Sequence, residues 1–411
     1  MKTRMTVVVA AGLALSAGLL GGCAGHGKYT GEHATLAKAR LDMLKASTEY
    51  DMGLQAFLAG DLNKAKRKAE IAAALHPDLA RAQVLLGRVA IEEGEMGAAV
   101  TALRQATSID DQSVDAWYYL GVACERLRRR EDALAAYRRA AELDPFNARH
   151  AVAVGEVLID LGRVDEAMAE LAASPAAADS AGIHHLLGHA AMIQGDSDRA
   201  VSLMEDARLL APNDGIIVED LIDAQLAAGK FTDAEFAISR LRRETANTER
   251  RDLRVLHARC LRELDRLPEA YRLLADLTDD REGRDDAAAW TALGEVAQQL
   301  GDASTVQRAA SRLVSIAPER PEGYTLFAVH RLSKGEADRC LKAAEDGLKN
   351  VGGNVDLISL KAIALSELNR KDEADKALAE LDLIAGDPTT PLVQRIHQAV
   401  RGDAYVAAPT D

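Results

Sequence analysis

Aromatic side chains are scarce here, 4 % of 411 residues, and proline is scarcer, 10 against 30 glycines. With 48 % apolar residues, this is an alanine- and leucine-rich helical composition rather than a disordered one. Cysteine is rare too. Cys23, Cys124, Cys260 and Cys340 form no CxxC or CxxxH spacing, which excludes a readable disulfide framework or zinc finger. The last three lie far apart, in different expected helices, and read as small packing residues. Positive charge is in deficit: 50 Lys and Arg against 64 Asp and Glu, a formal charge of −14. Without residues 1–22, which carry Lys2, Arg4 and no acid, it becomes −16. Such acidity argues against nucleic acid as the main partner, and against a general electrostatic hold on anionic lipid. Catalytic motifs are missing as well: there is no G-x-S-x-G, P-loop or H-E-x-x-H. No enzyme activity, cofactor or resident metal is expected.

Only one apolar run stands out, Met5 to Leu20, behind Lys2 and Arg4. It is short for a membrane-spanning helix and reads as a secretory signal over residues 1–22. Leu20-Gly21-Gly22-Cys23 resembles the bacterial lipoprotein signal. That resemblance implies cleavage before Cys23 and lipidation of Cys23. It also implies a cell-envelope location, with Ala24 after the Cys resembling outer-membrane sorting toward the periplasm; the inner membrane and the cell surface stay open. Residues 23–32, Gly-rich and polar, read as a tether.

On length alone two or three globular domains are expected, but a repeat array can grow without one central core. Residues 116–147, AWYYLGVACERLRRREDALAAYRRAAELDPFN, decide for the array. Trp117, Leu120, Gly121 and Cys124 share one face of a first helix; Ala133, Tyr137 and Ala140 share one face of a second. Asp144-Pro145 closes the unit, since proline cannot continue a helix. Gly53, Gly87 and Gly121 recur every 34 residues, and Ala65, Ala99 and Ala133 keep the same interval.

This pattern resembles the tetratricopeptide repeat (TPR), with Cys124 where the family has its first-helix Tyr. The resemblance covers roughly residues 46–388. It is clear in repeats one to five and eight and approximate in the rest. It implies an all-α, right-handed superhelical solenoid of about ten helix-turn-helix repeats. The expected organisation is a clear array over 33–240, a degenerate repeat or break over 241–286, a second array over 287–400 ending in a capping helix, and a tail over 401–411.

In this family the first helices line a concave groove that holds peptides or proteins. Carried onto this register, the groove positions are Tyr50, Leu54, Phe57 and Leu58, then Val84, Arg88 and Ile91, then Tyr118, Val122 and Arg126. A helix start at about His33 is expected to run as one long helix into the first repeat; the competing reading folds residues 33–45 back over this face. Trp117 and Tyr137 are expected between helices, as stabilising residues. The Lys and Asn pair with which chaperone-binding relatives clamp terminal carboxylates is missing from the clear repeats. His185 and His189, i and i+4 beside His184, have a metal-compatible spacing but read better as a polar stretch of groove flanked by Glu156, Glu219 and Asp223. Arg126, Arg128, Arg129, Arg130, Arg138 and Arg139 form a basic patch: a solvated outer face, or a docking spot for an acidic partner or phospholipid heads. The expected function is a membrane-tethered, non-catalytic interaction scaffold binding a protein or peptide partner. The alternative is a subunit of a pilus, secretion or exopolysaccharide-export machine.

Overall fold

The computed structural model describes residues 28–243, 250–387 and 390–401, with side chains from Glu32 onward. The signal over 1–22, Cys23 and residues 402–411 lie outside the described residues. Every regular element described is helical. The chain divides into two compact units, residues 1–217 and 218–411. The expected break lay later, over 241–286.

The first unit opens with α1 (Lys28–Leu58), followed by α2 (Leu62–Leu75), α3 (Ala80–Glu92) and α4 (Met96–Ile109). Then come α5 (Val114–Arg126), α6 (Arg130–Leu143), α7 (Ala148–Asp160), α8 (Val164–Ala173), α9 (Ala181–Ile193) and α10 (Ser197–Leu210). The unit boundary falls inside α11 (Gly215–Ala227). The second unit holds α12 (Phe231–Leu241), α13 (Arg251–Glu263), α14 (Leu267–Asp279), α15 (Ala287–Leu300) and α16 (Ala303–Ile316). It ends with α17 (Glu322–Ser333), α18 (Ala337–Val351), α19 (Val355–Glu367), α20 (Lys371–Ala385) and α21 (Pro391–Arg401). These are ten helix pairs and a final single helix.

Each pair is built alike. Small residues let the two backbones approach: Ala65, Ala99, Ala133, Ala167, Ala200, Ala234 and Ala270 are all fully buried. Across from them, a Cβ on Gly121 would stand 2.5 Å from the ring of buried Tyr137. Asp61, Ser113, Asn147, Ser180, Asp196, Asp286, Asp302 and Asn354 cap helix starts, each accepting from a backbone N–H two or three residues on. The first helix of each pair stops at a residue with positive φ. That residue is Gly60, Gly94, Gly162, Gly195, Gly229, Gly301 or Gly335, but Arg128, Asp265 and Asn369 in the third, seventh and tenth pairs.

Residues 28–32 belong to α1 rather than to a tether, and 33–45 run on in that helix into the first repeat. The seventh repeat, whose sequence has His257-Ala258 for Leu-Gly, still forms a helix pair, because Ala258 and Ala270 are small and buried. The last helix, α21, buries Val393, Ile396 and Val400 against Ile358, Leu365, Leu378 and their neighbours. Cys124, Cys260 and Cys340 are free and buried, and burial pushes the last two thiols up to about 11. Among the described residues no helix is long and apolar enough to cross a membrane.

Candidate functional site

The first helices α1, α3, α5 and α7 bring a row of aromatic rings and guanidinium groups together in the first unit. The guanidinium of Arg81 lies 4.6 Å from the ring centroid of Tyr50, and its Nη2 donates to Ser47 Oγ at 2.6 Å. Arg88 is held between two rings, 4.6 Å from Phe57 and 4.8 Å from Tyr119. Tyr119 meets Tyr118 edge-on at 5.4 Å. Tyr118 in turn packs against Tyr137 at 5.5 Å and His150 at 5.3 Å. Arg149 lies 4.2 Å over the Tyr118 ring while its Nε donates to the Tyr118 hydroxyl at 2.8 Å. Arg126 donates from Nη1 to the Ile91 carbonyl at 3.3 Å. A cation over an aromatic face gains about 0.5–2 kcal/mol, more as water is excluded. Stacking also fixes the plane of each guanidinium.

Tyr50, Leu54 and Phe57 are half-buried against the core of the first repeat, and Tyr118 and Val122 against that of the third. Leu58 and Arg126 are exposed. Val84 and Ile91, expected in the groove, are buried, 6 % and 4 % exposed. Val84 packs with Ala106, Ala116 and Tyr119, and Ile91 joins the core formed by α4 to α7. A helix flanked by neighbours on both sides buries more of its surface than register alone suggests. Tyr119, Arg81 and Arg149 were not anticipated. The sequence signal for the arginines is their shared place, second residue of the second and fourth repeats. Tyr119 carries no such mark.

Charge reverses at one end of the row. Burial, helped by Glu125 and Asp160, pushes the Glu156 carboxyl above the usual carboxylate range. Glu125 accepts from the hydroxyl of Tyr137 at 2.7 Å. His150 is held below the ordinary histidine value by burial, against the opposing charge of Asp144.

The other candidates resolve differently. His184 Nδ1 stands 4.0 Å from Asp206, and His189 is exposed. Among the described residues no group of three His, Cys, Asp or Glu could hold a metal ion. Most of the basic patch is answered by the chain's own acids. Arg129 pairs with Asp132, Arg130 with Asp160 at 3.7 Å, Arg138 with Glu166 and Glu170, and Arg139 with Glu142 at 2.9 Å. Trp117 and Tyr137 have the expected structural places: the Trp117 indole donates to the Asp111 carbonyl at 3.0 Å, and Tyr137 is buried.

In the second unit, Thr291, Glu295, Gln298, Glu322 and Asp356 line a cleft between α15, α17 and the start of α19 together with Pro321, Leu326 and Val329. Arg262 pairs there with Glu295.

Models of the tetratricopeptide repeat match residues 50–114, 114–147 and 191–254. No curated protein matches the chain. Solved structures with a similar course include a tetratricopeptide repeat protein from Parabacteroides merdae ATCC 43184. It is 17 % identical over 62 % of this chain and 99 % of that one, with a TM-score of 0.43. PilW, described as a type IV pilus biogenesis factor, is 19 % identical over 50 % of this chain and 95 % of its own (TM-score 0.43). PilF of Pseudomonas aeruginosa is 19 % identical over 62 % and 97 % (TM-score 0.37). Residues 50–147 and 191–254 thus carry tetratricopeptide repeats, and the all-helical chain around them repeats the same helix pair.

Proposed function

We propose that this chain is a non-catalytic adaptor that holds a peptide or protein segment against the arginine–aromatic row of its first four repeats. Tetratricopeptide repeats are interaction scaffolds, and the row is the observation that carries the choice of face. Aromatic and arginine side chains dominate binding energy at interfaces, because they offer large, stiff area with a polar edge. Tyr50, Phe57, Arg88, Tyr118, Tyr119 and Arg149 provide that combination on consecutive first helices.

The proposal includes anchoring through lipid on Cys23 in the bacterial cell envelope, at the outer membrane facing the periplasm. It is supported by the Leu20-Gly21-Gly22-Cys23 sequence. Two acyl chains suffice for stable membrane attachment, at about 0.8 kcal/mol per buried methylene.

One experiment with two arms tests both parts. Wild type, Cys23→Ser and a Phe57→Ala, Tyr119→Ala variant are expressed in a Gram-negative host, fractionated, and crosslinked to bound proteins in vivo. Cys23→Ser is expected to leave the membrane fraction with its fold intact. The aromatic variant is expected to stay in the membrane but lose at least tenfold in crosslinked partner. Membrane retention of Cys23→Ser ends the anchor; equal crosslinking by the aromatic variant moves the site elsewhere.

A further inference from the structure

In this acid-rich chain, several arginines of the first four repeats have carboxylate partners. Arg129, Arg130, Arg138, Arg139 and Arg163, on second helices and turns, each have one. Those of the inner row differ. Arg81, Arg88, Arg126 and Arg149 have no carboxylate within 4.0 Å among the described residues, although acids outnumber bases 64 to 50. Three of the four are instead stacked on aromatic rings. The Nε of Arg88, between Phe57 and Tyr119, is buried without a hydrogen-bond partner. An unmatched buried donor costs about 1–3 kcal/mol.

Stacking uses the faces of a guanidinium; of the in-plane N–H groups, Arg81 Nη2 is taken by Ser47 Oγ and Arg149 Nε by the Tyr118 hydroxyl, which leaves the other edges for a carboxylate. A carboxylate meets that edge with two parallel hydrogen bonds. Lysine could not substitute, since its ammonium has no plane to stack. The acidic group Glu125, Glu156 and Asp160 bounds the row on one side.

We infer that the segment bound on this row is acidic, an extended peptide whose Asp or Glu carboxylates pair with Arg81, Arg88 and Arg149 while its apolar side chains lie on Tyr50, Phe57 and Tyr119. The inference rests on the adaptor reading above and deepens it.

A displayed library of random 12-residue peptides, selected on the purified chain at low salt, tests it. The selected pool is then measured against Arg149→Gln, Arg88→Lys and the Phe57→Ala, Tyr119→Ala variant, each checked by circular dichroism. The expected pool is rich in Asp and Glu, binds Arg149→Gln and Arg88→Lys at least tenfold more weakly, and is released by 0.5 M salt. Arg149 is exposed, so its loss of binding is read without loss of fold. A neutral or basic pool that still depends on Phe57 and Tyr119 overturns the acidic partner and leaves the adaptor face standing. No enrichment, or a pool bound equally by the aromatic variant, overturns both.

Discussion

Arg128, Asp265 and Asn369 adopt the left-handed backbone, φ 57 to 60°, that glycine supplies at the equivalent turns of the other seven repeats. For a residue with a Cβ this costs about 1–2 kcal/mol, less for Asn and Asp, whose short polar side chains ease it. Glycine avoids that cost but loses more freedom on folding, about 0.5–1 kcal/mol. Arg128 is exposed, and its backbone N–H bonds to Glu125 O at 2.8 Å, which glycine keeps. Arg128→Gly is therefore expected to stabilise by about 0.5–1 kcal/mol, with Asp265→Gly gaining less and Asn369→Gly close to neutral. Urea denaturation checks the order; a loss of stability in Arg128→Gly contradicts it. At Gly121 the limit is space beside Tyr137 rather than backbone angle.

Helices were legible where spacing alone determines them. Gly53, Gly87 and Gly121, with Ala65, Ala99 and Ala133, place three helix pairs before any coordinate is known. Even the degenerate seventh repeat kept its small residues at the crossing. The candidate site was half legible. Tyr50, Phe57, Arg88 and Tyr118 follow from register, whereas Val84 and Ile91 went into the core and Tyr119 joined the row unannounced. What decides those three is how closely one repeat packs on the next, and a 34-residue period does not contain that distance.

The joint between α12 and α13 is built around one histidine. His257 Nδ1 accepts from Arg242 Nη1 at 2.7 Å, and Nε2 faces Glu235 at 3.0 Å and Ser239 at 3.4 Å. Burial, and the charge of Arg242, hold His257 below the ordinary histidine value, despite Glu235; Arg266 adds to the lowering. A proton on Nδ1 would point at the guanidinium. With the folded value lowered, the neutral ring contributes its full stability above the unfolded value of about 6.5. That contribution is lost as pH falls through the lower, folded value. His257→Gln, which keeps the donor to Glu235 but cannot titrate, is expected to lose less stability between pH 7 and pH 5 than wild type. His150 and His330, also lowered, are common to both proteins and cancel in the comparison. Melting curves of the two that run parallel across this range would remove His257 from the account.

For the molecule as a whole, an array has two ends, and each must be closed. At the far end α21 buries Val393, Ile396 and Val400, donates from His397 toward Asp382 at 2.8 Å, and accepts from Ser366 at the Val400 carbonyl, 2.7 Å. Three aliphatic side chains represent up to about 5–9 kcal/mol of burial, an upper figure because unfolded chains already bury some of it. Ending the chain after Asp387 is expected to lower the melting temperature of the second unit and to raise binding of a hydrophobic dye, as Leu365, Leu378 and Leu381 become exposed. A melting temperature within 1 °C of wild type would show that α20 closes the array by itself.

The near end is closed by a helix much longer than the repeat requires. The half of α1 before Ala46, residues 28–45, runs about 27 Å at 1.5 Å per residue. A flexible chain of that length would average a similar span, about 21–25 Å, but with its ends wandering through every shorter distance. A helix removes that slack. The first repeat, and with it the arginine–aromatic row, stands at a set height from residue 28, so the reach of the proposed binding face is a matter of geometry rather than of chance extension.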